Sequence, residues 1–431
     1  MKLKKSSFIR DGVTLVSGNV WAQAIAFVSY LVLSRLFSPE DFGLYNIFYS
    51  YIEVLVIVST CKYELAIVLA DNDREAAAVG RLALRLNTII SVILLTVLLV
   101  LILLGRCETL ASTRLSSLNP MLALLIPPMV FLCGTSRVYS FTLNRFRRFS
   151  SIALSEVVGS TSGVLLKVLL GLPRLASTLW HTVGLPLGTV LGRACANVNL
   201  AWRWRRLDLP RDISGDERRR AAARFRNFPL YTMPKDLINS LSYNLPFLWL
   251  ALYFDKAEVG LFAMALTCTF RPVNIFNTAF EKLLFVRIAE RVRAHQTIRA
   301  DLRRFVLIIN AIALPVFVVA FFFGDDICSF LFGRRWNDCG YYIRCLLPWV
   351  YVVLTSSSLM FISNVFGRQR TEFGFYIVLF LLRLAAMVAG LYFGSFRLAI
   401  LLFAAAGAAV SLSLLLWYAR LVRRYENSEV C

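Results

Sequence analysis

Uninterrupted apolar stretches of about twenty residues recur from one end of the sequence to the other, and they restrict what the chain can fold into. A helix of about twenty residues spans the roughly 30 Å of hydrocarbon in a bilayer. The composition agrees, since 58% of the residues are hydrophobic. The pattern predicts an all-α integral membrane protein with twelve transmembrane helices, at 13–33, 41–69, 82–104, 119–141, 150–171, 177–201, 230–252, 258–285, 304–323, 341–363, 371–393 and 398–419.

Basic residues are distributed unevenly between the connections on the two sides of these spans. The two termini and every second connection together hold 30 Lys and Arg, whereas the remaining connections hold 8. The positive-inside rule therefore predicts that both termini are cytoplasmic. The formal net charge of +21 is then explained by contact with anionic membrane lipid, and no nucleic-acid partner is expected.

A short polar turn separates the first two spans and recurs 217 residues later, so that Ser38 corresponds to Asp255 and Asp41 to Glu258. Each turn places a capping side chain three residues before an acid, which is the pattern of a helix N-terminus. The flanking spans also correspond. The sequence therefore predicts two six-helix halves, 1–202 and 228–431, joined by a basic cytoplasmic linker at 203–227. Each half has an even number of spans, so the halves point the same way across the membrane.

The sequence lacks the motifs of the common enzyme classes. Its nine cysteines are scattered without a CxxC pair, and its two histidines, His181 and His295, are far apart. It contains neither a Gly-rich phosphate loop nor a nucleophile elbow. We therefore expect no metal, no cofactor and no enzymatic activity.

Three stretches resemble a known family: "LSRLFSPEDFGLYNIF", "KYELAIVLADNDREA", and the long segment from "FPLYTMPKDL" to "NTAFEKLLF". They are similar to the polysaccharide biosynthesis proteins, which are oligosaccharide-lipid flippases of the multidrug/oligosaccharidyl-lipid/polysaccharide exporter superfamily. The resemblance implies two pseudo-symmetric six-helix bundles around a central cavity, as in MATE transporters. It also implies alternating-access flipping of an undecaprenyl-pyrophosphate-linked oligosaccharide across a bacterial inner membrane.

In that family the flipped glycan is destined for O-antigen lipopolysaccharide, capsule or exopolysaccharide. The implied partners are the lipid-linked oligosaccharide, membrane lipid, and the polysaccharide polymerase and assembly proteins. The sequence names neither the sugar nor the coupling ion.

Ionisable residues inside the spans are the candidates for function, because a charge near the bilayer centre costs at least about 2.5–3.5 kcal/mol. Three arginines near mid-span are predicted to bind pyrophosphate, since arginine forks match phosphate oxygens. Residues close to helix ends, such as Arg137, are interpreted as snorkelling to the interface. Polar stripes on spans 1 and 7 predict a wet lumen that contributes to the same site. The predicted substrate-binding residues are Arg271, Arg383, Arg193, Lys235, Asp236, Asn19 and Gln23.

Acidic residues inside the spans are predicted to act in gating or ion coupling. Glu53 and Glu64 are eleven residues apart, which places them on one face of a continuous helix. Glu281 corresponds to Glu64 in the second half. A structural ion pair between Glu53 and Arg271 is an alternative role for these charges.

Other functions stay open at this point. A drug or cation antiporter of the same superfamily would have an acidic lumen, whereas basic residues outnumber acidic ones nine to five within the spans. A polymerase would need a large outer loop, and the longest one predicted here, 324–340, contains no histidine. A scaffold for the assembly machinery, docking through 203–227, is the remaining alternative.

Overall fold

The computed structural model describes residues 25, 27–103, 120–172, 178–210, 212–249, 252–293, 296–366 and 368–429, and these residues form helices and turns without any strand. The helices are α1 Phe27–Leu36, α2 Pro39–Ser59, α3 Ala66–Leu69, α4 Asp73–Leu103, α5 Pro120–Leu124, α6 Ile126–Arg145, α7 Phe149–Gly171, α8 Thr178–Arg205, α9 Gly215–Arg224, α10 Met233–Trp249, α11 Lys256–Arg293, α12 Arg299–Phe332, α13 Cys339–Ser358, α14 Phe361–Val365, α15 Gln369–Tyr392 and α16 Phe396–Glu429.

Each of the twelve predicted spans overlaps a helix in the described part of the chain, where the first span is described only at residue 25 and from residue 27 onwards. Eight helical segments there are long and apolar enough to cross a membrane. The helices at the other four predicted spans are α1, α8, α10 and α11. The described part of α1 is short, α10 has 17 residues, and α8 and α11 are long but carry more polar residues.

The turn before α2 has the predicted capping geometry. The Ser38 hydroxyl accepts a hydrogen bond from the Asp41 backbone N–H, and the Asp41 carboxylate accepts one from the Ser38 N–H at 2.9 Å. Pro39 occupies the first helical turn, where its missing N–H leaves no donor unpaired. In the repeated turn Asp255 also caps its helix, and it accepts from the Ala257 N–H at 3.3 Å.

The helices pack into two compact units, Met1–Ala257 and Glu258–Cys431. The first unit contains α1 to α10, and the second contains nearly all of α11 together with α12 to α16. Helix α10, the first span of the predicted second half, thus packs with the first-half helices in this structure. This grouping follows packing contacts alone, so the duplication inferred from the sequence stays a prediction.

The linker is docked on the first unit through α9. Ser214 and Glu217 form a capping box at its start. Arg224 pairs with Asp71 and with Glu75, each at 2.7 Å, and Glu217 binds Arg74. Hydrogen bonds from the Arg74 side chain and from the Ser214 backbone lower the pKa of Glu217 to about 2, so this pair is fully ionised at neutral pH.

The second unit has its own core, where the start of α12 and the start of α14 pack against the C-terminal half of α16. A buried carboxylate, Glu372, is satisfied within it, because Ser363 and Tyr418 donate hydroxyl hydrogen bonds to it at 2.7 and 2.8 Å. Nearer the turn that joins the two helices, Arg344 of α13 pairs with Asp325 of α12 at 2.6 Å. These buried or partly buried polar groups are thus paired across neighbouring helices.

The charge distribution leads to a topology prediction. Alkaline phosphatase fused after Asp255, or between Gly333 and Asp338, should be active, because both turns are expected on the outer side. The control is a fusion after Asp212 in the basic linker, which should be inactive. Inactive fusions at both outer turns would overturn the topology and the parallel arrangement of the halves.

Candidate functional site

A polar cavity of about 370 Å³ lies inside the first unit, between α2, α6, α7 and α8. Two carboxylates and two guanidinium groups from these four helices line it: Glu53, Arg137, Glu156 and Arg193. Two acids and two arginines at membrane depth are costly unless they pair or face water. Their convergence on one cavity makes it the candidate site in the described part of the first unit.

Helical spacing explains how these side chains reach the cavity. Tyr49 and Glu53 are four residues apart on α2, and Ser136 and Ser140 have the same spacing on α6. Residues at this spacing share a helix face. Arg137 lies on that same side of α6.

Close approach of α7 and α8 brings Glu156 and Arg193 together. The two helices meet through glycines, since a Cβ at Gly192 would lie 2.6 Å from the Gly163 Cα and 2.8 Å from the Gly159 carbonyl oxygen. Without side chains, the two backbones can touch. One turn away on α7 and one residue away on α8, the Arg193 guanidinium lies 3.5 Å from the Glu156 carboxylate.

Arg137 and Ser136 present unsatisfied donors at the cavity. Among the described residues, Arg137 Nη1 and the Ser136 hydroxyl are buried and have no hydrogen-bond partner. A buried donor without a partner costs about 1–3 kcal/mol. Water, a sugar hydroxyl or a phosphate oxygen in the cavity would satisfy both, so the site is suited to a polar or anionic ligand.

Two polar contacts join α2 and the turn that follows it to α10. The Asn244 side-chain amide donates to Glu53 at 3.0 Å, and Lys62 pairs with Asp236 at 2.7 Å. Asp236, predicted to bind substrate, is therefore engaged by a lysine in this conformation. Glu53 combines both features of the site, because it lines the cavity and contacts α10. Its predicted pairing with Arg271 stays a prediction.

The predicted acidic stripe from Glu53 to Glu64 is wrong. Helix α2 ends at Ser59, and the backbone turns at Cys61 and Lys62, whose φ angles of 49° and 62° are left-handed. The helical periodicity that would align the two acids is therefore interrupted. Glu64 lies in the following turn and is 1% exposed, and its Oε2 has no hydrogen-bond partner in the described part of the chain.

Two of the predicted arginines lie in the second unit. Arg271 is half-buried in α11, which continues through Pro272. Arg383 is 3% exposed, and its guanidinium lies over the rings of Trp349 and Phe403, at 4.6 and 4.2 Å from their centroids. The role of Arg383 in this conformation is thus a packed cation–π contact.

Of the remaining predicted residues, the structure describes the side chain of Lys235 alone, and that residue does not line the cavity. Lys235 is exposed near the start of α10. Asn19 and Gln23 lie outside the described residues, as does the side chain of Glu281, whose backbone belongs to α11.

Three contributors to the cavity were missed from the sequence. Arg137 was interpreted as snorkelling, Glu156 was given no role, and Tyr49 was not considered. The face shared by Ser136, Arg137 and Ser140 was the available signal for α6. For α7, the signal was the pair of glycines at Gly159 and Gly163, which predicts close helix packing beside Glu156.

Comparison with known proteins identifies the family to which this chain belongs. The family model described as "Polysaccharide biosynthesis protein" matches residues 32–340. The chain belongs to this polysaccharide biosynthesis family. No protein among curated sequences matches it.

Solved structures show the fold of this family member. An inward-facing multidrug resistance MATE family transporter of the MOP superfamily is similar with a TM-score of 0.69 and 16% identity, covering 94% of this chain and 96% of that one. The lipid II flippase MurJ in an inward closed conformation is similar with a TM-score of 0.69 and 11% identity, covering 97% and 91%. A MOP superfamily transporter from Pyrococcus furiosus gives 0.54 and 16%, covering 97% and 96%.

The predicted MATE-like all-α fold is therefore confirmed. The family member is a multi-pass membrane protein with the fold of MOP superfamily transporters and flippases. At these identities the likeness concerns the fold alone, so the substrate has to be argued from the site.

Proposed function

We propose that the protein flips an undecaprenyl-pyrophosphate-linked oligosaccharide from the cytoplasmic to the outer leaflet of a bacterial inner membrane. The flipped glycan serves O-antigen, capsule or exopolysaccharide biosynthesis. The observation that carries the proposal is the cavity with Arg137 and Arg193, found inside a member of the polysaccharide biosynthesis family. Both termini are cytoplasmic in this proposal, as the charge distribution predicts.

No covalent bond is made or broken in the proposed cycle. The pyrophosphate replaces Glu156 as the partner of the Arg193 guanidinium. Arg137 and Ser136 donate their unused hydrogen bonds to phosphate or sugar oxygens. The polyprenyl tail stays in lipid while the two halves alternate access to the two sides. Glu53 and Glu156 are the candidate carriers of a coupling cation, since the sequence has no ATP-binding motif.

The decisive experiment uses purified protein in liposomes with a fluorescent undecaprenyl-pyrophosphate glycan, and measures its transfer between leaflets. Arg193→Gln should slow flipping about tenfold or more, because it removes one charge-assisted contact with phosphate. Arg137→Gln should act in the same direction. Arg148→Gln is the matched control, because Arg148 is exposed at the turn between α6 and α7.

Flipping at the wild-type rate by both cavity variants would contradict the proposed pyrophosphate site. Flipping by none of the proteins, including wild type, would contradict the proposed function itself. Applied to Arg271→Ala, the same assay tests whether this second-unit arginine contributes to binding, as the sequence predicts.

A drug or cation antiporter is the second candidate, and one observation favours it. Glu53 and Glu156 line the same cavity as the arginines, so the four charges balance and a cationic ligand has two acidic partners. Efflux of ethidium from the same liposomes, driven by a proton or sodium gradient, would identify this function. If ethidium stays in the liposomes whether or not a gradient is applied, while the glycan is flipped, the antiporter function is excluded.

A further inference from the structure

A second cavity, of about 510 Å³, opens at the basic end of the first unit. Its walls are the start of α4, the end of α6, the end of α8, and the linker residues Leu207, Leu209 and Pro210. Helix α6 separates it from the candidate site. Val138 and Thr142 of α6 face this second cavity, whereas Arg137 and Ser140 face the first.

The lining combines two arginines with apolar surface. Arg81 and Arg205 line the cavity, and none of its lining residues is acidic. Among the described residues Arg81 donates one hydrogen bond, to the Pro210 carbonyl oxygen at 3.0 Å, whereas a guanidinium has five N–H donors. The cavity therefore has uncompensated positive charge and spare donors.

Arg205 differs from the other arginines around it. Arg203 donates to Asn199 at 2.9 Å and to Ser151 at 3.1 Å. Arg206 lies 3.5 Å from the centroid of the Trp202 ring. Arg205 is exposed and makes no hydrogen bond to any described residue, although it lines the cavity. Its guanidinium is thus the one in this arginine run that is available to a ligand.

Aromatic and basic residues surround this cavity, as they do sites in the headgroup layer of a membrane. Trp204 lines it and stacks on Tyr139, with ring centroids 5.1 Å apart, and aromatic residues of this kind concentrate at the lipid–water boundary. The adjoining segments are among the most basic in the chain, and the charge distribution assigns them to the cytoplasmic side.

The geometry points to a binding site for the phosphate headgroup of an anionic phospholipid from the cytoplasmic leaflet. Arg81 and Arg205 would bind the phosphate, since arginine forks match its oxygens. The apolar walls would accept the glycerol and the first acyl carbons. A soluble phosphate ester shares the phosphate chemistry but has no acyl chain to pack against those apolar walls.

Occupancy of this site would fasten the linker to the first unit. Arg81 already holds Pro210, so a lipid between Arg81 and Arg205 would join α4, α8 and the linker. The bound lipid would thus attach one end of the linker to the first unit, and the ion pairs of α9 attach the other end. This inference is independent of the glycan proposed as substrate.

Native mass spectrometry of the delipidated full-length protein tests the site, with phosphatidylglycerol as the probe. Wild type should form a one-to-one adduct, and Arg205→Gln should weaken it about tenfold, as expected for loss of one charge-assisted hydrogen bond. Arg206→Gln is the matched control and should stay within about twofold, because that exposed charge lies outside the cavity.

A second variant fills the cavity without removing a charge. A Cβ at Gly80 would meet only Ile67 and Val138 side chains among the described atoms, at 3.8 and 3.9 Å, so Gly80→Met should fold and lose the adduct. Equal affinity of wild type, Arg205→Gln and Gly80→Met would overturn the site. If phosphatidylcholine binds as tightly as phosphatidylglycerol, the site does not require an anionic lipid. If glycerol phosphate binds as tightly, the bound phosphate group does not have to come from a lipid.

Discussion

Replacing Gly192 with leucine is expected to remove most of the folded protein. A Cβ at this position would lie 2.6 Å from the Gly163 Cα and 2.8 Å from both the Gly163 nitrogen and the Gly159 oxygen. All three are backbone atoms, so no side chain can rotate away. Overpacking ordinarily costs about 1–3 kcal/mol, and separating α7 from α8 along their contact should exceed that range.

The measurement is the yield of monodisperse protein in mild detergent, followed by size-exclusion chromatography. Gly374→Leu is the matched control, because Gly374 also lies inside a helix and a Cβ there meets no described atom within 4 Å. Gly192→Ala should give an intermediate yield. A wild-type yield of Gly192→Leu would show that the two helices are not held by this glycine contact.

Arg383→Ala is expected to destabilise the second unit by about 2–5 kcal/mol, by removing a desolvated cation–π contact and leaving a void. The Arg383 guanidinium lies over Trp349 and Phe403. The Trp349 ring is in turn held between Phe270, at 4.5 Å between centroids, and Gly407, where a Cβ would lie 2.7 Å from the indole. Truncating Arg383 to alanine removes the guanidinium that lies over the Trp349 ring.

Thermal unfolding of the purified variants checks this expectation. Arg383→Lys keeps the charge but loses the planar stacking group, so its stability should fall between that of wild type and Arg383→Ala. Wild-type stability of Arg383→Ala combined with lost transport would contradict the packing role and favour direct contact with substrate. Loss of transport in an unstable variant would carry no information about binding.

Helices were more predictable from this sequence than the site. The capping turn at Ser38 and Asp41 uses only local hydrogen bonds, so its residue types predict it directly. The spans follow from hydrophobicity, which a bilayer imposes on each segment separately. The stripe from Glu53 to Glu64 was wrong because Cys61 and Lys62 adopt left-handed angles without a glycine to signal them.

Side chains that meet across helices were the least predictable. Arg137 lies near the end of α6, where snorkelling is the usual interpretation, and only the neighbouring α2, α7 and α8 turn its surroundings into a cavity. Arg193 was predicted as a ligand, but its pairing with Glu156 depends on how closely α7 approaches α8. That distance is set by Gly159, Gly163 and Gly192, which have no side chain.

Helix α6 forms the partition between the two cavities of the first unit, and this has a thermodynamic consequence. A displacement of α6 that enlarges the first cavity, beside Arg137, would narrow the second cavity, beside Val138 and Thr142, because protein interiors are close-packed. The volumes of the two cavities would then change together, in opposite directions. A molecule bound in one cavity would then change the affinity of the other cavity for its own ligand, and linkage requires the factor to be the same in both directions. The lipid composition of the inner leaflet would in this way become a thermodynamic variable of transport.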